Sequence, residues 1–200
     1  MPAPVYSAGT VGNVINGVSV AHGATIAAFL DLSTAIEGQV NCEIATGASA
    51  PTAGTAFSAY RAYAAGSSPP ITLSAGVTAG ATSISVSSVT GLHQGQNIAL
   101  QQVGGSKLGE VVSISAISGT TVTISATINA YSASDAVYLM GQTPVTGVTP
   151  SSPAGTWAAN KDYSAPMYLG TGQYILAANN ADSAQSVTVS ATVDKVTSYQ

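Results

Sequence analysis

Residues 71–140, ITLSAGVTAGATSISVSSVTGLHQGQNIALQQVGGSKLGEVVSISAISGTTVTISATINAYSASDAVYLM, decide how the chain is read. Apolar residues alternate with Ser and Thr in short runs: Ile84 and Val86, Ile98 and Leu100, Val112 and Ile114, Val122 and Ile124. A period of two over short segments is the pattern of strands buried on one face. Ser118-Gly119 marks the turn between Ile114 and Val122, because glycine accepts the positive φ of a tight hairpin. The stretch is therefore predicted to be a small all-β unit. Ser67-Ser68-Pro69-Pro70 precedes it, and Thr143-Pro144, Pro150 and Ser151-Ser152-Pro153 follow it. Proline-rich brackets on both sides predict a domain over 69–144 set into a loop of a discontinuous host, 1–68 and 145–200.

Working outward, the flanks also read as strands. Val11–Val20 carries Val14, Val18 and Val20, with Asn16-Gly17 as a hairpin-type turn. His22-Gly23 leads into Thr25–Leu32, and Ser33–Glu37 could add a single helical turn. Gln39–Ala45 alternates through Val40, Cys42 and Ile44. In Thr55–Tyr63, Phe57, Ala59, Arg61 and Tyr63 take one side and Ala56, Ser58 and Tyr60 the other. Aromatics on both sides imply a face sealed by a neighbour, or one tyrosine left in solvent. Beyond the insert, Trp157–Tyr163 reads as a polar loop. Ala165–Leu169 and Gln173–Ala177 are short strands separated by a Thr171-Gly172 turn. Asn179–Ser183 is a strong turn signal, and Gln185–Val193 alternates through Val187, Val189, Ala191 and Val193 inside a sheet. Neither half is complete alone. Two sheets built from both halves and packed face to face would bury the alternating faces. The expected fold class is all-β: a jelly-roll-like β-sandwich host with an inserted small β-barrel or β-sandwich, and little helix.

Composition narrows function. Charged residues make up 6% of the 200 residues, against roughly 25% in ordinary soluble proteins. Hydrophobic residues are 46% and mean hydropathy is +0.33. The most apolar run, Ala24–Leu32, is shorter than the ~20 residues of a membrane-crossing helix, so no membrane partner is expected. Met1–Tyr6 lacks the basic start of a secretory leader. Dispersed ions keep free monomers apart, and this chain has Lys+Arg 4 and Asp+Glu 8. Its surface must be mostly Ser, Thr, Ala, Gly and Asn, which suits a protein that lives against copies of itself or a scaffold. The Pro2/Pro4 arm at the start could dock on a neighbour. Arg61, Lys107, Lys161 and Lys195 are scattered, so no phosphate-binding face and no nucleic-acid partner is expected.

No reaction can be read from the residues. GxGxxG after a strand, GxxxxGK[ST] and GxSxG are absent, and Gly104-Gly105-Ser106-Lys107 reads only as a hairpin tip. His22 and His93 lack the further ligands of a metal site. Cys42 is expected to pack as a small hydrophobe, since one cysteine forms no internal disulfide. Carboxylates for glycosidase chemistry would come from Asp31, Glu37, Glu43, Glu110 and Asp135. Glu37 and Glu43 share a strand face but stand roughly 20 Å apart at ~3.3 Å per residue, too far for a pair. Asn179-Asn180-Asp182 is the one calcium-like run, and a turn explains it more simply. The reading is therefore of no catalytic residue, no cofactor and no metal.

The insert resembles a repeat-type β-domain of tailed-bacteriophage structural proteins. The likeness is carried by AGATSISVSSVTGLHQGQNIAL, GEVVSISAISGTTVTIS and SASDAVYL. Gln96 stands where that family commonly has an acidic turn residue, which argues against an ion there. FLDLSTAIEGQVNCEIATGASAPTAGTAFSAYRAY and YLGTGQYILAANNADSAQSVTVSATVDKVTSY resemble the two halves of a sandwich domain of capsid-decorating and tail-associated proteins. The resemblance implies a non-enzymatic virion protein, foremost a capsid decoration or cement protein. Its partners would be copies of itself and major capsid or tail proteins. The alternatives are a head–tail, neck or tail component, or a glycan-binding module using Trp157, Tyr163 and Tyr168. A hydrolytic tail enzyme relying on Glu43 or Glu110 is the remaining reading.

Overall fold

The computed structural model describes residues 4–5, 9–63, 71–103, 109–152, 155–196 and 198–199. Among these every regular element is a strand. In order they are β1 (Pro4–Val5), β2 (Gly9–Val20), β3 (Thr25–Thr46), β4 (Thr55–Tyr63), β5 (Ile71–Thr72), β6 (Ser83–Ser85) and β7 (Asn97–Gln101). Then come β8 (Gly109–Ser118), β9 (Thr121–Ile124), β10 (Ala136–Met140), β11 (Thr146–Val148), β12 (Asp162–Asn180), β13 (Val187–Val196) and β14 (Ser198–Tyr199). Twelve of them form one antiparallel sheet in the order β2-β13-β3-β12-β4-β10-β7-β8-β9-β6, with β11 on β4 and β5 on β10; β1 pairs separately with β14.

The two long strands organise this sheet. β3 has 22 residues and β12 has 19. Leu32 lies opposite Gly172 and Glu37 opposite Gly170, so residues 33–36 of β3 face Thr171 alone. Such a bulge bends the pair and divides it into two arms. One arm pairs Thr25–Leu32 with Gly172–Asn179. The other pairs Glu37–Ala45 with Asp162–Gly170, and there β13 covers the far side of β3. Ile26, Ala28, Leu30 and Leu32 of the first arm and Val40, Cys42 and Ile44 of the second enter a single core. From β12, Tyr174, Leu176 and Ala178 of the first arm and Met167 and Leu169 of the second enter the same core, the alternation changing phase at the bulge. Both arms thus line one core, with the bulge between them.

Four interactions hold the bend. Thr171 Oγ1 donates to Ala35 O at 2.7 Å and to Ile36 O at 3.1 Å. Arg61 Nη1 donates to Thr171 O at 2.9 Å, and its guanidinium lies 4.7 Å from the Tyr174 ring centre. Gly172 has φ +141, and a Cβ there would run into the Arg61 guanidinium, so the bend needs glycine.

A second core lies on one face of β7, β8 and β10. Ile98 and Leu100, Val112 and Ile114, Val122 and Ile124, with Ile84, Val86 and Tyr131, are all buried there. The hairpin between β8 and β9 closes over Gly119-Thr120, where the sequence placed its turn. The opposite face of the same strands is also covered. β10 continues the sheet from β4, with Met140 opposite Ala62, and β8 returns to β3 through Ala27 opposite Gly109. Six strands, β3-β12-β4-β10-β7-β8, thus make a partial ring. Inside it lies a third core of Ala27, Ala99, Met140, Ile175 and Ala177, flanked by Phe29, Tyr60, Ala62, Val111 and Tyr138. Gly109 sits at the closure. A Cβ there would lie 2.5 Å from Leu100 O and 2.9 Å from Ala27 O, so only glycine lets three backbones approach this closely.

Several local expectations change. Ser33–Glu37 is strand, because its extra residues are taken up by the bulge and its carbonyls by Thr171. Thr171-Gly172 is that bulge inside a continuous β12, so the two short strands expected around it are one. Asn16-Gly17 is also within a strand: Val18 faces Val189 and Ile15 faces Ala191, a register shift in β2 instead of a hairpin. β12 runs through Asn179 and Asn180, and the turn begins at Ala181. The Tyr60 side of β4 packs in part against Ala99 and Met140 of β7 and β10 and is half-buried, while Tyr63 is exposed. β13 lies between β2 and β3, inside the sheet as expected.

Candidate interaction surfaces

The residues that could carry chemistry are mostly engaged in holding loops. Cys42 is fully buried in the middle of β3, and burial pushes its thiol up to about 12; at neutral pH it is an unreactive packing group. His22 sits in the exposed turn between β2 and β3, and His93 is exposed in the loop before β7. No group of three or more His, Cys, Asp or Glu among the described residues could hold a metal ion. Lys107 and the Gly104–Lys107 tip fall outside the described residues.

Glu110 is only 1% exposed. Its Oε2 accepts from Ile128 N at 2.7 Å, and its Oε1 from Asn129 N at 3.0 Å and Tyr131 Oη at 2.9 Å. Burial, with the Glu110 charge beside it, pushes the Tyr131 hydroxyl above the ordinary tyrosine range. Asp135 is buried as well, accepting from Ser132 N at 2.8 Å and Val103 N at 2.9 Å. Asp31 lies on β3. Its partial burial opposes ionisation, but hydrogen bonds from Ser33 and Gln173, with Lys195 nearby, hold its carboxyl below the usual value. Glu37 and Glu43 lie on the second arm of β3, opposite Val196 and Ser190 of β13.

Asn180 and Asp182 form a clasp. The Asn180 amide donates to Val20 O, Ala21 O and Gln185 O. Asp182 Oδ1 accepts from Ala184 N and Gln185 N; its Oδ2 accepts from Thr52 N, Thr52 Oγ1 and Ala53 N. The Ala184 amide first, then those of Ala53 and Gln185, hold this carboxyl well below the usual range. Asn180, the last residue of β12, and Asp182 just beyond it thus join three loops at one end of the sheet.

The aromatic residues of the host differ in how free they are. Trp157 donates Nε1 to Pro150 O at 3.0 Å, and its ring lies against Gly54. Tyr163 Oη accepts from Ala158 N at 2.7 Å. Both therefore fasten the loop before β12. Tyr168 is 65% exposed. It projects from Asp162–Gly170 of β12, which pairs with β3 on one side; on its other side no strand among the described residues pairs with it. Pro166 lies within this edge and removes one N–H from it. The opposite margin of the sheet is β2, which carries no charged residue and no proline.

The ring interior is a feature that sequence reasoning missed. Phe29 and Tyr138 stack at 4.4 Å with ring planes 5° apart, and Phe29 N donates to Gln101 Oε1 at 2.7 Å. Alanines line much of the wall, and among the described residues cavities of about 240 and 200 Å³ open beside it. The first is bordered by Phe29, Gln101 and Tyr138; the second by Thr25, Ser58, Tyr60 and Asn179. The available signal was the apolar residues on both faces of β3, β7 and β12. Compared with protein families, with curated proteins and with solved structures, the chain matches none.

Proposed function

We propose that this chain is a non-enzymatic structural protein of a tailed-phage virion, foremost a capsid decoration or cement protein. In this reading Met1–Ser68 and Val145–Gln200 form a jelly-roll-like sandwich that docks on the particle. The inserted β-domain projects from it or bridges to a neighbour. The observation that carries the reading is the sparse charge of the chain, 6% of its residues, part of it taken inside the fold. Of the eight acidic residues, three (Glu110, Asp135 and Asp182) are buried. Arg61 and Lys195 each donate to a backbone carbonyl of their own chain. A surface so poor in ions avoids the several kcal/mol that burying an unpaired charge at an interface costs. The margins at β2 and at Asp162–Gly170 of β12 offer backbone groups for pairing across subunits.

The test is copy number in purified particles, measured by quantitative mass spectrometry against the major shell protein. Copies in the hundreds support a shell decoration. Copies near six or twelve move the protein to the neck or baseplate. Absence from the particle overturns the reading.

A further inference from the structure

We propose that the mouth of the six-strand ring bordered by Thr25, Ser58, Tyr60 and Asn179 binds a single neutral saccharide ring. Its walls are Ala56, Val111 and Ala177, and its volume is about 200 Å³. Pockets for drug-sized molecules hold roughly 300–1,000 Å³, so this one takes one ring and not a chain. No charged side chain lines it, which disfavours metal ions, phosphates and carboxylates. A purely hydrocarbon ligand fits poorly too, since it would strip water from two hydroxyls, an amide and a phenol without replacing it.

A pyranose has the matching chemistry. It presents hydroxyls at its edge and a C–H face, and the site supplies hydroxyls and an amide beside an aromatic ring. Asn179 Nδ2 donates to Thr25 Oγ1 at 2.6 Å. That bond fixes the amide's orientation and leaves its Oδ1 and second N–H for a ligand. Thr25 and Asn179 are opposite each other on β3 and β12, while Ser58 and Tyr60 come from β4. The polar groups therefore stand on rigid strands and are preorganised. The alanines keep the wall low; a larger side chain at Ala56 or Ala177 would fill the space.

This inference stands apart from the virion reading: particle copy number bears only on that reading, and sugar binding only on this one. The experiment is a titration of the ¹⁵N-labelled full chain with the methyl glycosides of glucose, galactose, mannose and N-acetylglucosamine, to tens of millimolar. The expected result is a saturable shift of the Thr25, Ser58, Tyr60, Val111 and Asn179 amides with at least one of them. Asn179→Ala, at an exposed position, weakens binding about tenfold, as losing one hydrogen-bonding group does. Ala56→Leu abolishes it while leaving the rest of the spectrum in place; should that variant not fold, Asn179→Ala carries the test alone. No shift with any of the four overturns the proposal. So do shifts elsewhere in the chain, or equal shifts with glycerol.

Discussion

Replacing Gly109 by alanine tests whether the insert is locked to the host through the ring. Gly109 is not among the positive-φ glycines, so its backbone conformation accepts alanine. In open space that change would stabilise by about 0.4–1 kcal/mol, through lower entropy of the unfolded chain. At Gly109 the new Cβ would instead lie 2.5 Å from Leu100 O and 2.9 Å from Ala27 O. Both atoms are backbone, held in β7 and β3, and relief requires a strand shift of roughly 0.5–1 Å. Overpacking of this kind costs about 1–3 kcal/mol, so the net effect is a loss of about 1–2 kcal/mol. With a urea dependence of about 2 kcal/mol per molar, the midpoint falls by about 0.5–1 M. Gly141 is the control: its Cβ would meet nothing closer than 3.6 Å, so Gly141→Ala leaves the midpoint unchanged or raises it slightly. Fluorescence of Trp157, the one tryptophan, reports the host, and circular dichroism reports all strands. If the ring couples host and insert, both probes shift together in the Gly109 variant. Equal midpoints for the two variants, or a Trp157 transition that does not move, would refute the closure argument.

Three other outcomes follow from the buried polar groups. Glu110→Gln places an amide donor against backbone N–H donors and removes a charge-assisted acceptor; it destabilises by about 1.5–3 kcal/mol, seen first as faster hydrogen exchange at Ile128 and Asn129. Asp182 has a folded-state pKa below its unfolded value of about 3.9, so its contribution is complete above that value and is lost as pH falls through the folded one. Asp182→Asn therefore lowers the melting temperature at neutral pH and flattens its fall below about pH 4; parallel curves for variant and parent would contradict this. Cys42, with its thiol pushed up to about 12, resists iodoacetamide in the native state and reacts once urea unfolds the chain. Rapid labelling of the folded protein would disprove its burial.

Alternation made each strand legible, but not the way the strands join. The pairs Ile98/Leu100 and Val112/Ile114 announced one buried face, and the insert's core uses those residues. The other face is apolar through Ala99 and Val111, which period-two reading treats as filler. Its partner surface, Ala27, Ile175 and Ala177, is far away in sequence, so no local pattern could join them. The Thr171-Gly172 signal was real, since glycine is required there. A dipeptide cannot tell a turn from a bulge; only the four-to-one register against residues 33–36 decides. The carboxylates show another limit of a local reading. In the sequence Glu110 and Asp135 stand with Asp31, Glu37 and Glu43 as possible partners in chemistry, and nothing in the alternation could show that each accepts backbone N–H groups of nearby loops. A scarce charge in a neutral chain is spent on the fold when loops need an acceptor stronger than water.

That use of charge has a consequence for how the protein would hold a neighbour. Three acidic groups are internal, Arg61 and Lys195 are tied to carbonyls, and Asp194 accepts from the Asn41 amide at 3.4 Å. Few ions remain to attract a partner across water. An interface made by such a surface rests on shape, apolar contact and backbone pairing, none of which a salt of ordinary strength screens. In the proposed particle, retention of this chain should therefore stay constant, or rise, as sodium chloride goes from low to molar concentration. Sulfate should strengthen it further, because excluded salts favour apolar burial. The measurement is the fraction of the chain that sediments with particles across the salt series. A steep release with rising chloride would mean that the few remaining ions, Lys161 and Glu43 among them, carry the contact, and the argument from low charge would fail.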